Sequence, residues 1–139
     1  AMMQAIEVYR ERFDPSEQLA ESYVMLGFNV FAAETQEEAK LLRSSSQQST
    51  LSLRRGLPGP LPPPLENFEA SLSPPELAML DQVHECSVVG SPEMVKEGLV
   101  AFVERTGADE IMVSSHIFDH AARLRSFEIT AEVCGITTP

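Results

Sequence analysis

The sequence contains no tryptophan, two cysteines and only ten lysines and arginines among its 139 residues. Because 21 acidic residues stand against those ten basic ones, the formal net charge is −11, which argues against binding to nucleic acid or to an anionic membrane surface. No apolar run approaches the roughly 18 residues of a membrane-spanning helix. Cys86 and Cys134 form no CxxC pair, so we expect reduced thiols and a cytoplasmic protein, with a single disulfide as the alternative.

The composition is that of a folded domain, with 43% hydrophobic and 22% charged residues. A chain of 139 residues has the length of one domain, so residues 1–139 are expected to form a single unit. The chain is too short for a complete (β/α)8 barrel, which typically needs about 250 residues.

The chain alternates between helical and strand patterns, which predicts an α/β fold with parallel strands. The first strand is apolar at most positions, as is typical of a strand covered on both faces. The segment 86–116 has the order strand, helix, strand, which predicts a βαβ unit. In chain order, the predicted elements are a helix at 2–13, a strand at 23–33, a helix from Thr35 to Arg55, a helix at 74–85, a strand at 86–90, a helix from Ser91 to Gly107, a strand at 110–116 and a helix that follows Asp119.

Local signals mark where several helices begin and end. The pairs Thr35–Glu38 and Ser73–Glu76 have the spacing of a capping box, and Asp119 is placed to cap the last helix. Gly56 and Gly107 mark helix ends. Helical spacing predicts a buried face on the second helix and another on the last helix, formed respectively by Ala39, Leu42, Ser46, Ser49 and Leu53, and by Ala121, Leu124, Phe127, Ala131 and Cys134.

A proline-rich segment separates the second helix from the third. Residues 57–65 contain five of the ten prolines, which predicts a stiff, extended connector. So long an irregular stretch inside a domain is often functional or exposed. We therefore predict that residues 56–72 form a connector or a lid.

The polar residues at the carboxyl ends of the strands are the candidate site, because parallel α/β folds place their active sites there. These ends are residues 29–33, 89–91 and 114–119, and the last is the most polar. The alternative is that these polar residues only cap helices or face solvent, as in most loops.

Three other chemistries are weaker interpretations. His116 and His120, with Asp119 between them, have no further ligand cluster, so no metal site is predicted. His84 and Cys86 lie at a junction that offers no oxyanion donor, and a small buried cysteine is the expected role. The turn at 90–92 could present backbone N–H groups to an anion, although most such turns only cap a helix.

The pieces together resemble the C-terminal part of the bacterial luciferase-like monooxygenases. The resemblance is carried by the strand and helix start YVMLGFNVFAAETQEEA, the connector RRGLPGPLPPP, the segment VVGSPEMVKEGLVAFVERTGADEIMVSS and the closing helix DHAARLRSFEITAEV. It extends over about residues 3–134, and it is similar above all to the alkanal or alkane monooxygenase-like branch. No single motif is diagnostic, but the order and spacing of all the pieces are fairly specific.

The resemblance implies the C-terminal half of a (β/α)8 TIM barrel, with about three parallel strands and flanking helices. It also implies a reaction that uses reduced FMN and oxygen to oxidise a small organic substrate such as an aldehyde, with a separate flavin reductase as partner. No catalytic residue can be carried over. The residues that would line the pocket from the strand ends are Asn29, Phe31, Gly90, Ser114 and His116.

An isolated half barrel would expose sheet edges and its inner face, so we expect a homo-oligomer. Most of the flavin site would lie in the absent half, and the chain alone is expected to be inactive. The alternatives are a non-catalytic structural or interaction module built from a half barrel, and an unrelated small α/β protein that uses residues 114–120 as a hydrolase or metal site.

Overall fold

The computed structural model describes residues 1–136 and contains three parallel strands with flanking helices, an α/β fold. Every predicted element is present, with ends that differ by a few residues. No helix within 1–136 is both long and apolar enough to cross a lipid bilayer. The elements are α1 (Met2–Glu11), β1 (Met25–Ala32), α2 (Gln36–Arg54), a 3-10 turn (Phe68–Ser71), α3 (Pro74–Val83), β2 (Ser87–Gly90), α4 (Pro92–Thr106), β3 (Glu110–Ser114) and α5 (His120–Val133).

The sheet has the order β2-β1-β3, so β1 is the central strand. The carboxyl-terminal half of β1 pairs with β2, the amino-terminal half pairs with β3, and Asn29 is opposite both Ser87 and Ser114. The predicted strand–helix–strand segment is therefore present, but β1 lies between its two strands. On the β2 side, residues 25–28 of β1 have no partner strand among the described residues. This leaves part of the central strand as an open edge.

One face of the sheet is well covered. Phe28, Val30 and Ala32 point to this face, where they form a core with α4 and α5. The ring of Phe28 packs against Phe102, with the ring centroids 4.4 Å apart. Buried apolar area of this kind is the main favourable contribution to folding.

The opposite face is covered only near the carboxyl ends of the strands. There Phe31 and Ala33 pack against Ala39 and Leu42 of α2 and against Ile117. The rest of this face is open, with Met25 49% exposed and Met112 57% exposed. We call this surface the open face and define it by the alternating positions that the strand register places together: Met25, Gly27, Asn29, Ser87, Glu110, Met112 and Ser114.

The predicted helix caps are largely confirmed. Thr35 Oγ1 accepts a hydrogen bond from the Glu38 backbone N–H at 3.2 Å, and an Asp119 oxygen accepts one from the Ala122 N–H at 2.8 Å. Ser73 and Glu76 form their capping contact, and hydrogen bonds from Ser73 lower the pKa of Glu76 to about 2. These signals are local in sequence, which is why they could be predicted without the fold.

The predicted buried face of α2 is partly wrong. Ala39, Leu42 and Ser46 are buried, but Leu53 is 64% exposed and Leu51 is buried in its place. Buried polar side chains of α2 instead contact the connector that runs along the helix. Ser44 Oγ accepts a hydrogen bond from the Leu65 backbone N–H at 2.8 Å. The extended connector cannot satisfy its own backbone, so polar positions of α2 satisfy it.

The predicted buried face of α5 is wrong. Leu124, Phe127 and Cys134 are exposed, and the buried residues of α5 are Ser126, Ile129 and Thr130. The physical reason lies in the sheet. Because β3 ends at Ser114, the backbone groups of β1 beyond Asn29 have no strand partner on that side.

Serine hydroxyl groups make the hydrogen bonds to the end of β1 that a longer β3 would have made. Ser126 Oγ accepts a hydrogen bond from the Ala32 N–H at 3.0 Å, and Ser115 Oγ donates one to the Val30 carbonyl at 2.8 Å. All of these groups are buried. Because buried backbone groups need partners, α5 turns a polar position inward at Ser126.

Candidate functional site

A row of polar side chains crosses the open face where the three strands meet. Ser114 of β3 donates a hydrogen bond through Oγ to Asn29 Oδ1 of β1 at 2.5 Å. Ser87 of β2 is opposite Asn29 on the other side, and the Asn29 backbone N–H donates to the Cys86 carbonyl at 3.0 Å. The register thus joins two of the predicted pocket residues, Asn29 and Ser114, directly.

His84 lies next to this row and on the same side of the sheet. Its imidazole meets the ring of Phe31 edge-on, with the ring centroids 6.4 Å apart. Ser87 Oγ donates a hydrogen bond to the His84 carbonyl at 2.6 Å, which fixes the end of α3 against β2. The His84 Nδ1 atom is buried and has no hydrogen-bond partner among the described residues.

The pKa of His84 is lowered from 6.5, chiefly because burial disfavours the charged ring. The charge of Arg43 acts in the same direction, as does the nearby His116, whereas the backbone of Leu80 and the carboxylate of Asp81 oppose them. His84 is therefore a neutral imidazole at pH 7, able to donate one hydrogen bond and accept one.

Arg43 reaches this region from α2. It forms an ion pair with Glu69 at 2.5 Å, and Gln47 donates a hydrogen bond to the same Glu69 oxygen at 2.7 Å. The hydrogen bond from Gln47 is the main reason that the pKa of Glu69 is lowered, although burial raises it. The guanidinium is thus already paired with a carboxylate, although its buried Nε has no hydrogen-bond partner among the described residues.

The structure places the other three predicted pocket residues differently. His116 is exposed just beyond β3 and near enough to His84 to affect its pKa. Phe31 is fully buried as the support for the His84 ring. Gly90 is buried against α4, where an added Cβ would lie 2.7 Å from Met94 Sδ, so a glycine is needed for close packing.

Two of the weaker interpretations can be compared with the geometry. Within residues 1–136, no three His, Cys, Asp or Glu side chains are grouped to hold a metal ion. The Asp119 carboxylate caps α5, and His120 Nδ1 lies 2.8 Å from Arg123. Cys86 directs its sulfur towards Met2 Sδ, 3.6 Å away, while the His84 ring contacts Phe31. The structure does not bring Cys86 and His84 together as a nucleophile and its base.

The turn at 90–92 also differs from an anion site. Ser91 Oγ donates a hydrogen bond to Glu93 Oε2 at 2.9 Å, and backbone and hydroxyl hydrogen bonds lower the pKa of Glu93. The protein's own carboxylate therefore occupies the start of α4. Thr35 and Asp119 occupy the starts of α2 and α5 in the same way. In the described part of the chain, α2 and α5 have side-chain caps of their own, and α4 has the Glu93 carboxylate in its first turn.

The sequence analysis did not assign Arg43, Ser87 or His84 to the site. Arg43 is brought to the sheet by packing of α2, which has no local sequence signal. Ser87 could have been found from its place in a strand, because register alternation puts it beside Asn29.

Lowering the pH from 7.5 to 5.5 should destabilise the protein in part through His84. The unfolded histidine titrates near 6.5 and the folded one titrates lower, so the unfolded state binds more protons and stability falls as the pH falls through 6.5. Urea unfolding of His84→Gln at both pH values should show a smaller loss than the parent protein. Gln82→Ala, at an exposed and non-titratable position of α3, should retain the parental pH dependence. Equal losses in both variants would contradict this assignment.

Comparison with known proteins shows sequence similarity to longer bacterial proteins. No protein-family model matches the chain. An Escherichia coli (strain K12) protein named luciferase-like monooxygenase is 42% identical over 132 residues, which are 95% of this chain and 39% of that protein. The Bacillus subtilis (strain 168) protein YvbT, named as uncharacterized, is 48% identical over 129 residues, which are 93% of this chain and 38% of YvbT.

The chain is thus similar, over most of its own length, to a protein named luciferase-like monooxygenase. The crystal structure of apo-MsnO8 has a similar fold, with 28% identity and a TM-score of 0.78 over 99% of this chain and 42% of that structure. The chain spans about two fifths of the length of the curated relatives that it matches. That share fits the three-stranded sheet with its open face, which is consistent with a half barrel of the luciferase-like type.

Proposed function

We propose that the chain forms the C-terminal part of a luciferase-like flavin-dependent monooxygenase of the alkanal or alkane monooxygenase-like branch. The complete protein would use reduced FMN from a flavin reductase, together with oxygen, to oxidise a small organic substrate such as an aldehyde. The observation that carries the proposal is 42% identity to a luciferase-like monooxygenase over 95% of the chain. The open face supports it, because a sheet of this kind needs further structure to cover it.

The chain's own residues fit only part of such a cofactor. The polar row of Ser87, Asn29 and Ser114 offers hydrogen bonds to an uncharged group. The described residues offer little to a phosphate, because the Glu93 carboxylate lies in the first turn of α4, Asp119 caps α5 and Glu69 pairs with Arg43. We therefore assign the chain to one wall of the pocket. The phosphate would have to be held elsewhere in the complete protein.

A chimera tests the proposal. In the Escherichia coli luciferase-like protein, the matching segment would be replaced by this chain, and aldehyde oxidation would be measured with chemically reduced FMN and oxygen. We expect product that depends on both FMN and aldehyde. A folded chimera that binds FMN but oxidises no aldehyde would overturn the proposed reaction.

A non-catalytic interaction module is the second candidate, and the side-chain caps at the starts of α2 and α5 favour it. For the isolated chain, we expect no micromolar binding of FMN under either candidate, measured by quenching of FMN fluorescence. The chimera distinguishes the two candidate functions. If this chain is part of a monooxygenase, the chimera oxidises aldehyde in an FMN-dependent reaction, and if it is an interaction module, the chimera does not. Saturable micromolar FMN binding by the isolated chain would contradict the assignment of the phosphate site to another part of the protein.

We also propose that the isolated chain associates with itself, in a cytoplasm that keeps its thiols reduced. The unpaired edge of β1 at residues 25–28 offers backbone groups that a strand of a second copy would pair with. Size-exclusion chromatography with light scattering should give a mass above 15.3 kDa. A folded monomer at that mass would contradict self-association.

A further inference from the structure

The hydrogen bond between Ser114 and Asn29 determines which way the Asn29 amide faces. Ser114 Oγ donates to Asn29 Oδ1, so the NH2 group of the amide is directed away from Ser114. Within residues 1–136, this NH2 group has no hydrogen-bond partner. Asn29 is half-buried, and it therefore presents two N–H donors at the open face.

His84 presents a donor on the same side of the sheet. The buried Nδ1 has no partner, whereas Nε2 is not buried and makes no hydrogen bond within the described residues. A buried N–H without an acceptor is rarer than a buried acceptor without a donor, so the single proton of the neutral ring belongs on Nε2. The edge-on contact with Phe31 fixes the ring orientation.

The two donors belong to one small region of the sheet. Ser87 is the strand partner of Asn29, and its hydroxyl holds the His84 carbonyl at 2.6 Å. Phe31, which supports the His84 ring, lies two residues beyond Asn29 on the same side of β1. Apolar surface lies on the other side of the row, at Gly27 and the exposed Met112.

We propose that Asn29 Nδ2 and His84 Nε2 form a binding site for a neutral carbonyl oxygen, with the apolar part of the ligand lying along Gly27 and Met112. The site rests on the proposed function for its two sources of such an oxygen, the ring of a flavin and the carbonyl of an aldehyde-like substrate. A carboxylate ligand is disfavoured, because Glu69 already pairs with Arg43 and Glu110 lies on the same face.

NMR titration of the full chain tests this site. The probes are riboflavin, which has the ring without the phosphate, a medium-chain methyl ketone, which has the carbonyl without the ring, and acetate. We expect riboflavin, the ketone or both to shift the Asn29 side-chain amide and the His84 ring signals with one common dissociation constant. Which of the two binds identifies the source. Absence of shifts with both, or saturation by acetate at lower concentration, would overturn the site.

Two substitutions make the test specific. Asn29→Asp keeps an acceptor for Ser114 and removes both donors, and His84→Phe keeps the ring contact and removes Nε2. Each should weaken binding at least tenfold, whereas His120→Phe at an exposed position should leave it unchanged. If His84→Phe fails to fold, Asn29→Asp decides alone, and unchanged binding in it overturns the site. Persistent shifts alongside an inactive chimera would reject the monooxygenase and retain the carbonyl site.

Discussion

Replacing Phe102 with alanine should lower the free energy of unfolding by about 3–5 kcal/mol, the usual cost of removing a buried phenyl ring from a core. Phe102 is 3% exposed, and its ring packs against Phe28 of β1 at a centroid separation of 4.4 Å. It therefore joins α4 to the central strand. No other nearby ring can replace it among the described core residues.

Urea unfolding at pH 7.5 measures the effect. Val100→Ala is the matched control on the same helix, because Val100 is 49% exposed and its loss should cost no more than about 0.5 kcal/mol. If Phe102→Ala does not fold, Phe102→Leu should still fold and lose less than the alanine variant. Equal stability of Phe102→Ala and Val100→Ala would contradict the core described for this sheet.

Replacing Ser126 with alanine should cost about 1–3 kcal/mol, because the change leaves a buried N–H without an acceptor. Ser126 Oγ is the partner of the Ala32 N–H at 3.0 Å, in a position that β3 does not reach. The cavity left by one oxygen is small, so the lost hydrogen bond dominates the effect.

In Ser126→Ala, amide hydrogen exchange distinguishes loss of the hydrogen bond to Ala32 from formation of a small cavity. In Ser126→Ala, the Ala32 amide should exchange faster relative to the amides of residues 28–30. Ser52→Ala on α2 is the control, since the Ser52 hydroxyl makes no hydrogen bond to the described residues, and its stability should be nearly that of the parent. Unchanged stability and unchanged Ala32 protection would contradict the role of Ser126 at the end of the sheet.

The sequence was sufficient to predict features that depend on neighbouring residues. The caps at Thr35, Ser73 and Asp119 follow from short-range hydrogen bonding, and the three strands follow from apolar runs between such signals. The α/β class and the similarity to a luciferase-like monooxygenase were also predictable, since both depend on the order of the elements.

Features that depend on tertiary contacts were not predictable in the same way. The last helix turns Ser126 inward because β3 ends early, and no local pattern reports the end of a neighbouring strand. The strand order that puts β1 between β2 and β3 is also a long-range property. For these reasons, an apolar stripe on α5 was mistaken for its buried face.

The candidate site was predictable only in part. Asn29 and Ser114 were chosen from their places at strand ends, and the register brings them into direct contact. His84 precedes β2, and only the packing of α3 places its ring against Phe31. Because His84 does not lie at the carboxyl end of a strand, a prediction based on polar strand ends does not include it.

The central claim is that the open face forms one wall of the cofactor pocket. Its most direct test is to measure the FMN dissociation constant of the chimera with and without a charged side chain on that face. If this face is one wall of the cofactor pocket, the parent chimera should bind FMN, and Met112→Glu should weaken binding at least tenfold. Val100→Glu, on the solvent side of α4, should leave the constant unchanged. A folded chimera that binds FMN equally well with and without Met112→Glu would show that the open face is no part of the pocket.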